Sequence, residues 1–484
     1  MVAFRIPNLL RDLFAEGALS SAFVAVFSEY NVNKGSEATW KLANNVIVFL
    51  GILLSIITVA GIYFAEPIVL ILAPKFAEVT NKVELTAKLT VIMFPFLIFI
   101  SLAAVVMGIL NAKDRFFVPA MASSFFNLGS IAGGVSLAVI LPKFGQPAIA
   151  GMALGTLIGG LLQLVWQLPA LLKTGFTFTP FLNLSDPGLL RILKLMIPAI
   201  IGLSATQVNI FINTYFASSC AEGSVSWLQY AFRLVQFPIG VFGVAISIAT
   251  LPVVARYAAQ KDMLRLKETY SSSLTMAFCL TVPATVGLFI LAEPIIRIIF
   301  EHGAFTAFDT IMTAQALAYY SLGLFAYAAV KIMVPVFYAL DDTRFPVIAS
   351  FLAVLTNILV IFFTIDHFQH KAIALSTSCA MTFNFLFLSA MLYRKLSGYD
   401  LGYLGAGFVK IAVSSGVMGI WLVILPYLFP AWAGHGLLRE GLWLLLCITS
   451  GSVIYALMLH LLRLQELQVV TGKIMDRLKW GRRR

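Results

Sequence analysis

The chain has 484 residues, of which 60% are hydrophobic and 11% charged, against a charged share of about 25% in soluble proteins. This excludes a soluble enzyme, and the formal charge of +11 is a membrane-topology signal rather than a sign of a nucleic-acid partner. Apolar runs of around 20 residues recur, enough to cross a hydrocarbon core of about 30 Å, so the expected fold is an all-α integral membrane protein.

Thirteen transmembrane helices are expected, at residues 1–30, 45–73, 88–111, 117–141, 147–171, 191–218, 224–255, 271–296, 307–339, 345–365, 371–393, 404–428 and 440–462. Barrel strands would alternate over about ten residues, a pattern the chain lacks. The first span is unusual because Arg5, Arg11, Asp12 and Glu16 interrupt it. A charge near the bilayer centre costs about 2.5–3.5 kcal/mol on insertion scales, so this helix should line something wet. At 3.6 residues per turn Arg5, Asp12 and Glu16 share a face and Arg11 lies roughly 100° from Asp12. Pro7 and Gly17 should bend the helix where the charges gather.

Loops on the face shared by residues 31–44, 112–116, 172–194, 256–270, 340–344 and 394–403 and by the tail hold about 21 of the 33 basic residues, against about 7 opposite. That face is assigned to the cytoplasm. An odd number of spans then puts Met1 outside without a signal peptide, and a further helix upstream is expected.

The chain repeats itself. Ala3-Phe4-Arg5-Ile6 recurs as Ala231-Phe232-Arg233-Leu234, Tyr30 as Tyr257, Ala65-Glu66-Pro67-Ile68 as Ala292-Glu293-Pro294-Ile295, Arg115 as Arg344 and Asn127 as Asn357. The offset stays near 227–230 residues, and six spans separate equivalent points, so both copies enter the membrane in the same sense. The expected organisation is an N-terminal bundle, 1–172, a C-terminal bundle, 173–396, two additional helices to residue 462, and a basic cytoplasmic tail, 463–484. Parallel repeats place a substrate site between the copies.

Arg11 and Arg233 lead the candidate substrate-binding residues. A guanidinium grips phosphate in bidentate fashion and stays charged in a partly dry cavity, although each arginine could instead pair with a carboxylate such as Asp12 or Glu16. Glu16 is a candidate for balancing the arginines or binding a sugar or peptide, and Asp12 is treated likewise. Arg5, the repeat mate of Arg233, could bind substrate or snorkel to the interface. Lys331 is a further cavity candidate, whereas Lys410 lies near the cytoplasmic start of its span. Gln207, Asn209, Asn213 and Asn357 supply polarity in the second half, where interhelical hydrogen bonding is the default role. Asp341-Asp342 reads as a helix-ending turn, and Asp366, His367 and His370 as an outer loop. No catalytic, nucleotide or metal motif stands out, so no cofactor and no enzymatic activity is expected.

The stretch PNLLRDLFAEGALSSAFVAVFSEY, with its Pro-Asn-Leu-Leu-Arg and Phe-Ala-Glu-Gly-Ala runs, resembles the second transmembrane helix of the MurJ/MviN lipid II flippases. These belong to the multidrug/oligosaccharidyl-lipid/polysaccharide exporter superfamily, and the similarity continues through YAFRLVQFPIGVFGVAI, Tyr230 to Ile246. Family members begin with a further helix bearing two arginines, and some relatives hold a cation with carboxylates where this chain has Asn213 and Asn357. The resemblance implies alternating-access movement of lipid II, the undecaprenyl-pyrophosphate-linked peptidoglycan precursor, to the outer leaflet of the bacterial cytoplasmic membrane. It also implies lipid II, membrane lipids and other cell-wall synthesis proteins as partners. The alternatives are a flippase for another polyprenyl-linked glycan, a drug exporter of the same superfamily, or a membrane enzyme acting on polyprenyl phosphates.

Overall fold

The structure is a computed structural model describing residues 2–12, 18–428 and 436–464, and all regular structure among them is helical. The helices form two compact units, residues 1–219 and 220–484.

The first unit contains α1 (Val2–Arg11), α2 (Ala18–Asn33), α3 (Gly35–Tyr63), α4 (Ala65–Leu72), α5 (Lys82–Met93), α6 (Phe96–Ala112), α7 (Phe117–Ile140), α8 (Ala148–Leu172) and α9 (Pro187–Ser218). Its core gathers Phe23 and Phe27 of α2, Leu42 and Leu50 of α3 and Leu97 and Ile109 of α6. The repeat assigns α9 to the second copy, yet α9 packs on α2, α3 and α4 and so belongs to the first compact unit.

α7 and α8 meet along glycines. A Cβ on Gly151 would lie 2.3 Å from the Ala138 nitrogen, and one on Gly155 would lie 2.5 Å from the Gly134 Cα. Close backbone approach of this kind replaces the hydrophobic drive that lipid does not supply.

The second unit contains α10 (Ser224–Pro238), α11 (Ala245–Ala259), α12 (Met263–Ile290), α13 (Ala292–Phe300), α14 (Ala307–Ser321), α15 (Leu324–Ala339), α16 (Arg344–Phe368), α17 (His370–Lys395), α18 (Leu401–Leu428) and α19 (Leu437–Leu461). Tyr270, Phe337, Leu392 and Ile411 are among its core residues. The two helices beyond the repeat pack within this unit: α18 lies on α12, and the Tyr455 hydroxyl of α19 donates to the Cys279 carbonyl at 2.6 Å. Of the basic tail only Arg463 and Leu464 are described, and the rest of that assignment lies outside the described residues.

Ten helical segments among the described residues are long and apolar enough to cross a membrane, or eleven if the bent pair α14–α15 is one span. Eleven of the thirteen expected spans coincide with these segments. The other two, 1–30 and 191–218, take in residues 13–17 and the side chains of 198, 199 and 201–203, which lie outside the described ones, and α9 itself runs unbroken over 32 residues.

The repeat is visible in the joints of each unit. α3 breaks before α4 at Phe64 (φ −97°, ψ 17°), and α12 breaks before α13 at its mate Leu291 (φ −95°, ψ 14°). α6 ends at Asp114 (φ 57°) and α15 at Asp341 (φ 55°), both left-handed. The next amide closes the same turn in each copy, Arg115 to the Leu110 carbonyl and Asp342 to the Phe337 carbonyl, both at 2.9 Å.

Candidate functional site

α1 carries the charges that set the first span apart. Arg11 donates through Nε and Nη2 to Oδ1 of Asp12 at 3.2 and 3.0 Å. The other carboxylate oxygen accepts Nε2 of Gln207 from α9 at 3.2 Å. This triad joins α1 to α9, and the Arg11 and Asp12 side chains remain 21% and 28% exposed. The carboxylate neutralises much of the Arg11 charge. Asp12 departs from α-helical geometry into a π turn. Glu16, and the Gly17 bend expected beside it, lie outside the described residues.

Arg5, one face with Asp12, also looks toward α9, but at an apolar hollow of about 470 Å³ rather than a polar one. The hollow is walled by α1, the end of α3, α4 and α9, with Ile57, Ile68, Phe94 and Phe211 among its lining. The Phe94 ring lies over Gly61, where an added Cβ would sit 2.1 Å from a ring carbon.

In the second unit Arg233 is exposed on α10, and the helix leaves α geometry just after it, as a π segment at Ile239–Val244 following Pro238. Arg233 makes no ion pair among the described residues. The repeat mates α1 and α10–α11 thus both depart from α geometry at corresponding positions of the repeat, Asp12 and Ile239–Val244, an irregularity frequent at functional sites. Lys331 is exposed on α15, and the Ser247 hydroxyl donates to its carbonyl at 2.7 Å. Asn213 is half-buried on α9, and Asn357 is fully buried on α16.

The remaining polar residues have structural partners. Lys410 donates to the Arg463 carbonyl at 3.3 Å. Asp342 receives Lys395, whose ammonium holds the carboxyl below the usual carboxylate range, and this ties the α15–α16 turn to the end of α17. His370 Nε2 bonds the Met312 carbonyl at 3.0 Å, and its ring packs on Trp227, which donates to Asp309 at 2.8 Å. No group of three His, Cys, Asp or Glu side chains is placed to hold a metal ion among the described residues.

One feature passed unnoticed in the sequence. Asn44 donates to the Thr177 carbonyl and accepts the Thr179 amide, both at 3.0 Å, and Asn45 donates to the Asn183 carbonyl at 2.9 Å and accepts its amide at 2.8 Å. These two side chains fasten the extended segment between α8 and α9 to α3. Two adjacent asparagines opening an apolar run were the available signal.

Residues 1–442 match the family described as lipid II flippase MurJ. The chain is 39% identical over 394 residues to a probable lipid II flippase MurJ of Buchnera aphidicola subsp. Acyrthosiphon pisum (strain APS), covering 81% of this chain and 76% of that one. It is 34% identical to the probable lipid II flippase MurJ of Vibrio cholerae serotype O1 (strain ATCC 39315 / El Tor Inaba N16961), covering 97% and 90%. A solved structure of a lipid II flippase MurJ in an inward closed conformation superposes with a TM-score of 0.78 at 28% identity, covering 94% of this chain and 90% of that one. An inward-facing multidrug resistance MATE transporter of the MOP superfamily shares the fold, with a TM-score of 0.64 at 16% identity over 82% of this chain and 91% of that one.

Proposed function

The chain belongs to the lipid II flippase MurJ family, and from that premise we propose that it moves lipid II from the inner to the outer leaflet of the bacterial cytoplasmic membrane by alternating access. The geometric observation that carries the reading is Arg233, a permanent cation exposed on a membrane-spanning helix with no acidic partner among the described residues. Leaving such a charge against lipid is costly, so water or an anionic ligand is its natural neighbour. Arg11, half-neutralised by Asp12, supplies a second guanidinium on the repeat-related helix. We assign the substrate's pyrophosphate to these two residues, with Glu16 as a sugar or peptide contact and Lys331 as an auxiliary cation. Asn213 and Asn357 give the second half its uncharged polarity.

The polyprenyl tail stays in the bilayer, because exposing it to water would cost about 0.8 kcal/mol per CH₂. No covalent step is required, and the work is transport. Membrane potential acting on the site's charge, about 2.3 kcal/mol per charge per 100 mV, is a sufficient kind of driving force. The C-terminus is assigned to the cytoplasm, and lipid II is the partner on which the reading rests.

Reconstituted vesicles test it. Intact lipid II should change leaflet in the presence of the protein, and Arg11→Ala and Arg233→Ala should each slow that movement at least tenfold while reaching the membrane at normal levels. Arg233→Lys, which keeps the charge but loses the fork, should fall between. Recovery of a covalently altered lipid would point to an enzyme, and undiminished movement in both alanine variants would remove the arginines from the site.

A further inference from the structure

Lys331, like Arg233, is a cation exposed on the second unit that makes no ion pair among the described residues. The fold does not call for it. At the offset of 227 that relates Asp114 to Asp341, its mate on α6 is Ala104, buried in an apolar cluster with Phe96 and Ile100. A charge within a span that one copy carries and the other replaces with a methyl group serves something other than packing. Resting on the transport reading, we propose that Lys331 is a separate inner station for the substrate's diphosphate, occupied before Arg233, and not a second jaw of one clamp.

A hydrogen bond sets the level of Lys331. The Ser247 hydroxyl of α11 donates to the Lys331 carbonyl at 2.7 Å, so the lysine lies beside Ser247. From Arg233 to that point the α10–α11 segment advances 14 residues, about 20 Å at 1.5 Å per residue. α11 ends at the basic loop 256–270 and α15 at the basic loop 340–344, so the two helices run in the same sense. Side chains lean toward the start of their helix, which moves both cationic heads the same way and preserves their separation. The charged oxygens of a diphosphate span only a few ångströms, and charge-assisted hydrogen bonds reach about 2.7–2.9 Å. One diphosphate therefore cannot occupy both cations at once.

The two levels straddle the middle of the span. The helical segment Ser224–Ala259 is centred at about residue 241, which puts Arg233 about 13 Å toward the outer face and Ser247 about 8 Å toward the basic loops. The inner level carries hydroxyls as well: Thr250, one turn beyond Ser247, donates to the Ser273 hydroxyl of α12 at 2.9 Å. The chemistry suits a hand-over. Lys331 holds phosphate as a hydrated point charge and Arg233 binds it in bidentate fashion, so outward transfer runs from the weaker grip to the stronger.

Photo-crosslinking tests the order of the stations, with radiolabelled lipid II made on the cytoplasmic face of inverted membrane vesicles. Phe237 lies one turn from Arg233 and Tyr338 two turns from Lys331, and both are exposed aromatics that p-benzoylphenylalanine can replace. In the Tyr338→p-benzoylphenylalanine protein, Arg233→Gln should raise capture of lipid II at least threefold, because the substrate waits at the inner station. In the Phe237→p-benzoylphenylalanine protein, Lys331→Gln should lower capture at least fivefold, and Lys331→Arg should restore it to within twofold. Yields are compared at equal amounts of protein in the membrane. Unchanged or reduced capture at position 338 in Arg233→Gln is the mark of one clamp and would overturn the proposal, as would undiminished capture at position 237 in Lys331→Gln. Absence of capture at both positions with both cations intact would remove the transport reading itself, and the stations with it.

Discussion

Asn45 spends its whole amide on the backbone of Asn183, 138 residues away, accepting one hydrogen bond and donating another. With Asn45 fully buried, its replacement by alanine removes both hydrogen bonds to the linker backbone, each worth about 0.5–1.5 kcal/mol. Asn45→Ala should therefore lower the unfolding midpoint of the purified protein by several degrees, and an unchanged midpoint would show that the clamp is dispensable. Asn45→Asp keeps the acceptor and loses the donor, so its midpoint should fall between. Such a role is illegible in sequence because nothing local marks the partner. The Arg11–Asp12 pair was legible for the opposite reason: adjacent opposite charges in an apolar helix have each other as the nearest relief. Arg5 reads in the sequence as a substrate contact or an interfacial residue, and the structure adds that it borders an apolar hollow, a neighbourhood that needs α3, α4 and α9 in place.

Among the elements, the α7–α8 pair shows what separates a glycine from a methyl group. Gly155 faces the backbone of Gly134, and a Cβ there would be 2.5 Å from both its N and Cα. Gly133 faces the end of the flexible Ile158 side chain at 3.0 Å. Gly155→Ala must force the helices apart along their length, so it should reduce the folded yield in detergent several-fold, while Gly133→Ala should fold at near wild-type yield. Equal yields from the two variants would refute the backbone-contact explanation. The glycine spacing at 151, 155 and 159 is plain in the sequence, but not which neighbouring helix it addresses. The bend expected at Gly17 lies outside the described residues, and Pro7 sits within the continuous α1. What the structure adds is a widened turn at Asp12 and a matching segment at 239–244.

For the molecule as a whole, apolar run length located eleven of the thirteen expected spans, counting the bent α14–α15 pair as one. Sidedness follows from the basic loops and can be checked directly. In a background lacking the four native cysteines, Lys173→Cys should react with a membrane-impermeant maleimide only from the cytoplasmic side, and Gln146→Cys only from the outside. Both positions are exposed. Reaction of both from one side would invert or break the assigned topology.

The matched corners at Phe64 and Leu291, and at Asp114 and Asp341, reach further back than the present sequence. Their torsions agree within a few degrees, while their sequences agree only in part: Phe64 stands against Leu291, but Ala65-Glu66-Pro67-Ile68 recurs as Ala292-Glu293-Pro294-Ile295. That is the residue of gene duplication: packing can be exchanged one side chain at a time, but a bent corner must be inherited whole. An ancestral half-length polypeptide with these corners already knew how to thread the bilayer, and doubling it in the same sense gave evolution two copies to specialise separately.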